Sequence, residues 1–277
     1  MTFSIVARDG EAFGVAVASK FLAAGALVPW AKTGAGALAT QAFANLAYGP
    51  EGIGLLDRGR SAAEVVAALT EPDELRSQRQ LGVVDAGGGA ASFTGDECID
   101  WAGGRTGDGY AAQGNILAGP HVVDAVCETF EATIGDFAGR LLAALTAGDE
   151  AGGDRRGRQA AGLIVVSPGG GYGGTTDVAV DLRVDDHPHP CDELARLLAL
   201  HHLYFDKPRP EDLIEIDDSL MNEVRERLTA LGYDTAGDGA TRRSLERFAG
   251  WENLEERLVD GPRLDRHILE ALRARGV

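Results

Sequence analysis

Thr2 stands directly behind the initiator Met1, at the head of a run, "MTFSIVARDG", that reads as a short β-strand. Removal of Met1 before a small residue would leave Thr2 with a free α-amine beside its own hydroxyl. Such a pair is a nucleophile with a built-in general base. Ser4 shares the strand face of Thr2 by the two-residue period. The ordinary alternative is a polar residue at a strand start, although a strand this close to a chain end frays unless something ties it down. Lys20 follows the second apolar run, and Lys32 precedes the third. If those strands neighbour the first, either ammonium would lower the α-amine pKa and stabilise developing negative charge. Both lysines also suit a solvated rim.

Two further clusters could bind ligands. "AGGDRRGRQ" places Asp154, Arg155, Arg156, Arg158 and Gln159 on a glycine-rich loop before an apolar strand. Guanidinium forks suit bidentate recognition of carboxylates. The same loop could equally be solvated surface. "DLRVDDHPHPC" brings His187 and His189 beside Asp185 and Asp186. An HxH next to carboxylates can bind a metal, but no distant third ligand is evident, and a strand-end loop is the simpler reading. P-loop, HExxH, GxSxG and dinucleotide GxGxxG signatures are missing, so no cofactor is expected.

The elements that must position these residues follow from the apolar pattern. "FSIVAR" and "FGVAVAS" flank Asp9-Gly10, a hairpin signal. "GAGALATQ" is a further strand. Helical spacing then takes over, with Ser61 and Glu64 forming a capping box before Val65, Val66 and Leu69. "RQLGVVDA" and "GAASFTG" make a second hairpin through Gly87–Gly89. "GPHVVDAVCETFEATI" and "DFAGRLLAALTAG" are amphipathic helices, the second expected to stop at Gly148. "QAAGLIVVSP" and "TTDVAVDLRV" form a third hairpin, followed by the helix "CDELARLLALHHLYF". Strands that pair in hairpins predict an antiparallel α+β fold. Runs apolar on both faces, such as "GVAVA", predict sheets covered on both sides.

The prolines and altered composition of "FDKPRPEDLIEIDD" read as a linker. This predicts domains at 1–205 and 206–277. The second is a small helical module with the apolar set Leu220, Val224, Leu228, Leu231, Tyr233, Leu245, Phe248, Trp251, Leu254, Leu258, Ile268 and Leu272. A module so small is expected to dock on the main domain, with Phe248 and Trp251 covered.

The 277-residue chain carries a net charge of −17. That disfavours nucleic acid and anionic membrane surfaces as partners. Three scattered cysteines fit a reducing compartment. With no signal-peptide pattern and no spanning-length apolar run, the expected location is the cytoplasm.

Together, "MTFSIVARD", "GVAVASKFLAAGALVPWA", "GAGALATQAFANLAYGPEG", "RQLGVVD", "TG…CIDWAG", "QGNIL", "AGGDRRGRQAAGLIVV" and "DLRVDDHPHP" resemble the bacterial family called domain of unknown function 1028, which is placed in the Ntn-hydrolase superfamily. The resemblance covers residues 1 to about 204. Residues from about 211 to 275 resemble a peptidoglycan-binding domain. The first resemblance implies a four-layer αββα sandwich and an amidohydrolase acting on a small-molecule amide or peptide-like bond. It implies Thr2 as nucleophile, with Ser19 and Lys32 as its catalytic companions. Gln41 and Asn115, inside two of the matching stretches, join Asp154, Arg155, Arg156 and Gln159 as the candidate substrate-binding set. The alternatives are an Ntn-fold binding protein without the chemistry, and an adaptor that binds a muropeptide or protein through its C-terminal module. A homo-oligomer is compatible with each.

Overall fold

The computed structural model describes residues 2–275; Met1, whose removal the nucleophile reading of Thr2 requires, lies outside them. The chain divides into two compact units that meet in sequence at Leu198 and Ala199.

In the first unit, β1 (Thr2–Asp9) and β2 (Ala12–Ser19) form the expected hairpin, with Gly10 at φ +59° making the tight turn. Then come β3 (Pro29–Lys32), β4 (Gly36–Ala42), α1 (Tyr48–Asp57), α2 (Ala62–Thr70), β5 (Arg79–Asp85) and β6 (Ala90–Thr94). The strands β7 (Gly103–Gly107) and β8 (Tyr110–Asn115) precede α3 (Pro120–Ala132) and α4 (Phe137–Glu150). The unit ends with β9 (Ala160–Val166), β10 (Val178–Val184) and the start of α5 (Pro190–Phe205). All pairings in these sheets are antiparallel, in the orders β10-β9-β2-β1-β8-β7 and β3-β4-β5-β6. The class is α+β, as expected.

Strand alternation decides what each sheet face meets. From β1, Phe3, Ile5 and Ala7 pack with Val126 of α3 and Leu141 and Leu145 of α4. The opposite face, Val6 with Val15 and Val17 of β2, packs against Ala37 and Ala39 of β4 and Val84 of β5. The far face of the smaller sheet, Leu38, Leu81 and Val83, meets Tyr48, Leu56, Val65 and Leu69 of α1 and α2. Each sheet therefore has one face on the other sheet and one on helices, which is why these strands are apolar on both sides. Each buried Leu or Val contributes about 1.5–3 kcal/mol.

Two local readings change. β3, β7 and β8 were not anticipated, because "PWAK" and "GGRTG" lack a run of β-formers. Gly148 does not stop α4, which continues to Glu150. Its role is close packing: a Cβ there would lie 2.6 Å from Val126 and 2.9 Å from Phe3. The capping box of α2 forms as read, Ser61 and Glu64 each bonding the other's backbone amide. Ser61→Ala is expected to cost about 1 kcal/mol in urea unfolding, without effect on the sheets.

The second unit holds β11 (Leu213–Glu215), α6 (Asp218–Ala230), α7 (Ala240–Trp251), β12 (Arg263–Asp265) and α8 (Arg266–Ala274). β11 and β12 pair in a short antiparallel ribbon that the helical reading did not foresee. Val224, Leu228, Phe248, Ile268 and Leu272 form its core. Trp251 is the exception in the expected apolar set, 75% exposed at the end of α7. The proline-bearing stretch 206–212 lies beyond the division between the units, and α5 runs across that division.

Candidate active site

Thr2 is buried although it stands next to the chain start. It pairs with Asn115 of β8, and its Oγ1 lies 3.0 Å from Ser19 Oγ at the end of β2, also buried. The hairpin register that sets Phe3 against Ala18 brings these two hydroxyls together. The Thr2 carbonyl accepts from Gln41 Nε2 at 3.3 Å and from Asn115 Nδ2 at 3.5 Å. One hydroxyl partner and two amide donors thus fix the residue that elementary considerations would leave to fray.

Beneath Thr2 lies a polar network between the sheets. Ser4 donates to Gln41 Oε1 at 2.7 Å and accepts from Gln113 Nε2 at 2.7 Å. Gln80 Oε1 accepts from Gln41 Nε2 at 2.8 Å and Asn115 Nδ2 at 2.9 Å, while Gln80 Nε2 donates to the Gly114 carbonyl at 2.7 Å. All five side chains are buried. Gln113 fits because Gly82 faces it: a Cβ there would lie 2.0 Å from Gln113 Oε1. Each amide left unpaired at such depth would cost about 1–3 kcal/mol, so the network fixes the register between the sheets at this one end.

This geometry redefines two candidate residues. Gln41 and Asn115 are buried and donate to the Thr2 carbonyl from the inner side of the strand. Lys32 is corrected outright. It pairs with Gly36 at the opposite end of β4 from Gln41, and its ammonium forms an exposed ion pair with Asp57 at 2.7 Å. The physical reason is strand direction: β4 runs from Lys32's end toward Thr2. Lys20 follows Ser19 directly and stays at the Thr2 end. Gln80 and Gln113 went unread in the sequence, although polar residues at alternate positions of apolar strands were their signal.

The arginine loop does reach this end. Asp154 forms a bridge with Leu117, just beyond β8, and accepts the Lys20 amide at 2.8 Å. The same carboxylate takes the Arg156 amide at 2.8 Å and its guanidinium at 3.2 Å. Arg155 bonds the Ile116 carbonyl through its amide at 3.2 Å, and its guanidinium donates to the Asp100 carbonyl at 3.3 Å. Arg158 is bound to Asp149. Gln159 engages Asp186 of the loop after β10 at 3.0 Å, apart from the Arg155–Asp154 group.

Cysteine chemistry is not favoured here. Burial pushes the Cys127 thiol up to about 11 and raises Cys98 and Cys191 as well, so none is poised as a thiolate. Metal-ligand atoms gather in the second unit, at His201, His202 and Asp206 and at Asp212, Asp265 and His267. In the latter group Arg257 lies 3.2 Å from Asp265 and Arg266 lies 2.9 Å from Asp212, which fits a buried ion cluster better than a cation site. His187 and His189 belong to neither gathering.

A family model described as "Family of unknown function (DUF1028)" matches residues 2–194, and one described as "Putative peptidoglycan binding domain" matches residues 204–272. Among solved structures the chain resembles protein SPO2555 from Silicibacter pomeroyi, which is assigned to DUF1028. The two share 35% identity with a TM-score of 0.67, over 73% of this chain and 86% of that one. No curated protein matches the chain.

Proposed function

The chain belongs to the family of unknown function DUF1028, and from that premise we propose that its first unit is an amidohydrolase of the N-terminal-nucleophile kind, with Thr2 as the attacking residue. The observation that carries this reading is the buried, pinned Thr2 hydroxyl 3.0 Å from Ser19. A merely polar strand start would need none of that support.

The chemistry requires Thr2 to be the first residue of the mature chain. Its α-amine then takes the hydroxyl proton. Thr2 Oγ1 bonds the amide carbon, the C–N bond breaks, and the proton leaves with the amine. Water adds to the resulting ester and frees the acid, restoring the hydroxyl. Ser19 orients Oγ1, while Gln41 and Asn115 position the Thr2 backbone. Arg155 and Arg156, beside Asp154, serve an anionic group of the substrate. The proposed setting is the cytoplasm.

Intact-mass measurement of the purified full chain should show the loss of one methionine residue. Incubation with a p-nitrophenyl ester should then place one hydroxylamine-labile acyl group on the peptide beginning with Thr2. A chain that keeps Met1 and takes no label would sink the reading. A second reading rests on the match over residues 204–272: the C-terminal unit binds a muropeptide. Sedimentation of the full chain with purified cell-wall sacculi tests it.

A further inference from the structure

Large apolar side chains are scattered singly over most protein surfaces and need no explanation there. In the first unit they are not scattered. Phe21, Leu22, Phe43, Leu46, Leu75 and Ile99 are 44–64% exposed, and each lies on a segment at the Thr2 end of the sheets. Phe21 and Leu22 follow Ser19 at the end of β2, and Phe43 and Leu46 follow Gln41 at the end of β4. Leu75 precedes β5, whose second residue is Gln80. Ile99 lends its carbonyl to the Ile116 amide, immediately after Asn115. Among the described residues the other exposed large apolar side chains of this unit are Ile134, Tyr172 and Val178: Ile134 precedes α4, whose Arg140 reaches Asp9, and Val178 pairs with Val166, opposite Phe13, at the other end. Exposed apolar side chains gathered on segments at one end of the sheets suit an apolar ligand there.

Charge is arranged there too. The chain is strongly acidic at −17. Yet Arg155 donates only to a backbone carbonyl, at Asp100, and Lys20 Nζ donates to the Arg158 carbonyl. Among the described residues neither forms an ion pair with a carboxylate. Both border the six-stranded sheet, whereas Phe43 and Leu46 follow the four-stranded one. The end of the sheets that carries Thr2 thus offers exposed apolar side chains from both sheets, and on the six-stranded side two cations without a carboxylate partner among the described residues.

We propose that the Thr2 site takes amides joining an apolar acyl chain to a carboxylate-bearing amine, that is, N-acyl amino acids. The inference rests on the nucleophile reading for its chemistry. The acyl chain lies along Phe43 and Leu46, and the carboxylate of the amine half meets Arg155 with Lys20. Hydrolysis adds the elements of water across the C–N bond and yields a fatty acid and a free amino acid.

The test is equilibrium binding by calorimetry to the full chain carrying Thr2→Ala, with N-octanoylglycine, N-acetylglycine and N-octanoylglycinamide. The octanoyl acid should bind at least about 30-fold more tightly than the acetyl one and about 10-fold more tightly than the amide, since each buried methylene and a charge-assisted bond both count. Phe43→Ser should abolish the first preference and Arg155→Gln the second. Equal affinities for the three compounds, or no binding at millimolar concentration, would overturn the proposal. So would a dimer in analytical ultracentrifugation that Phe43→Ser dissociates while ligand preference is absent, because the apolar residues would then serve self-association. If the wild-type chain binds N-octanoylglycine with these preferences but releases no glycine, the nucleophile reading fails and the binding assignment stands.

Discussion

The Thr2→Ala chain is expected to lose amide turnover by about 10⁴-fold or more while unfolding within roughly 1 kcal/mol of the wild type. The two magnitudes come from different sources. Removing an attacking atom removes the covalent route, and such losses reach 10⁴–10⁶ in kcat. Removing the hydroxyl from the fold takes away the bond to Ser19 Oγ, worth about 1 kcal/mol net. Thr2→Ser keeps Oγ and should keep most of the activity. Ser19→Ala should fall between, about 10²-fold down in kcat with KM little changed, because it orients the nucleophile and does not replace it. The measurement is steady-state release of the amine product alongside urea unfolding of each variant. Retention of full turnover by Thr2→Ala would remove Thr2 from the chemistry.

Much of this arrangement was legible from residues alone, and the illegible part has a physical cause. Asp9-Gly10 announces the β1–β2 hairpin, and once that hairpin is read, period two brings Thr2 toward Ser19. The capping box at Ser61 is equally local. Lys32 was misplaced because sequence order does not state which end of a strand faces which neighbour; β4 puts Gln41, not Lys32, beside Thr2. Gln80 and Gln113 lie on different sheets, and only the packing of β5 against β8 reveals them as one network. β7 escaped notice because a strand made of Gly103, Gly104, Arg105, Thr106 and Gly107 is held by its pairing with β8 and by little of its own propensity. Trp251 shows the converse, a large aromatic on an amphipathic helix that the core does not take up.

The second large effect lies one residue from Gln80. Arg79, at the start of β5, is buried and paired with Asp73 at 2.9 Å. The same carboxylate oxygen accepts from Tyr48 at 2.8 Å and Asn45 at 3.3 Å, and Arg79 also donates to the Phe43 carbonyl and covers the Phe43 ring at 5.0 Å. This cluster fixes the segment from Phe43 to Tyr48, which carries the apolar side of the proposed site. Arg79→Leu leaves the half-buried Asp73 without its cation and should cost up to about 3 kcal/mol. The double change with Asp73→Leu should cost less, because no charge is then stranded. The guanidinium of Arg79, and then the bonds from Tyr48 and the Leu75 amide, hold the Asp73 carboxyl well below the usual carboxylate range. A carboxyl depressed on folding stabilises the native state above its unfolded pKa of about 3.9. That contribution is lost as pH falls from there toward the depressed native value. Urea unfolding at pH 7 and at pH 3 should therefore show a steeper acid loss for the wild type than for Asp73→Asn. Phe43, released from Arg79, should also lose its grip on an octanoyl chain, so Arg79→Leu should narrow the preference for N-octanoylglycine over N-acetylglycine. Unchanged stability in Arg79→Leu would show that the ion pair carries nothing, and an unchanged chain-length preference in a folded variant would detach the loop from substrate choice.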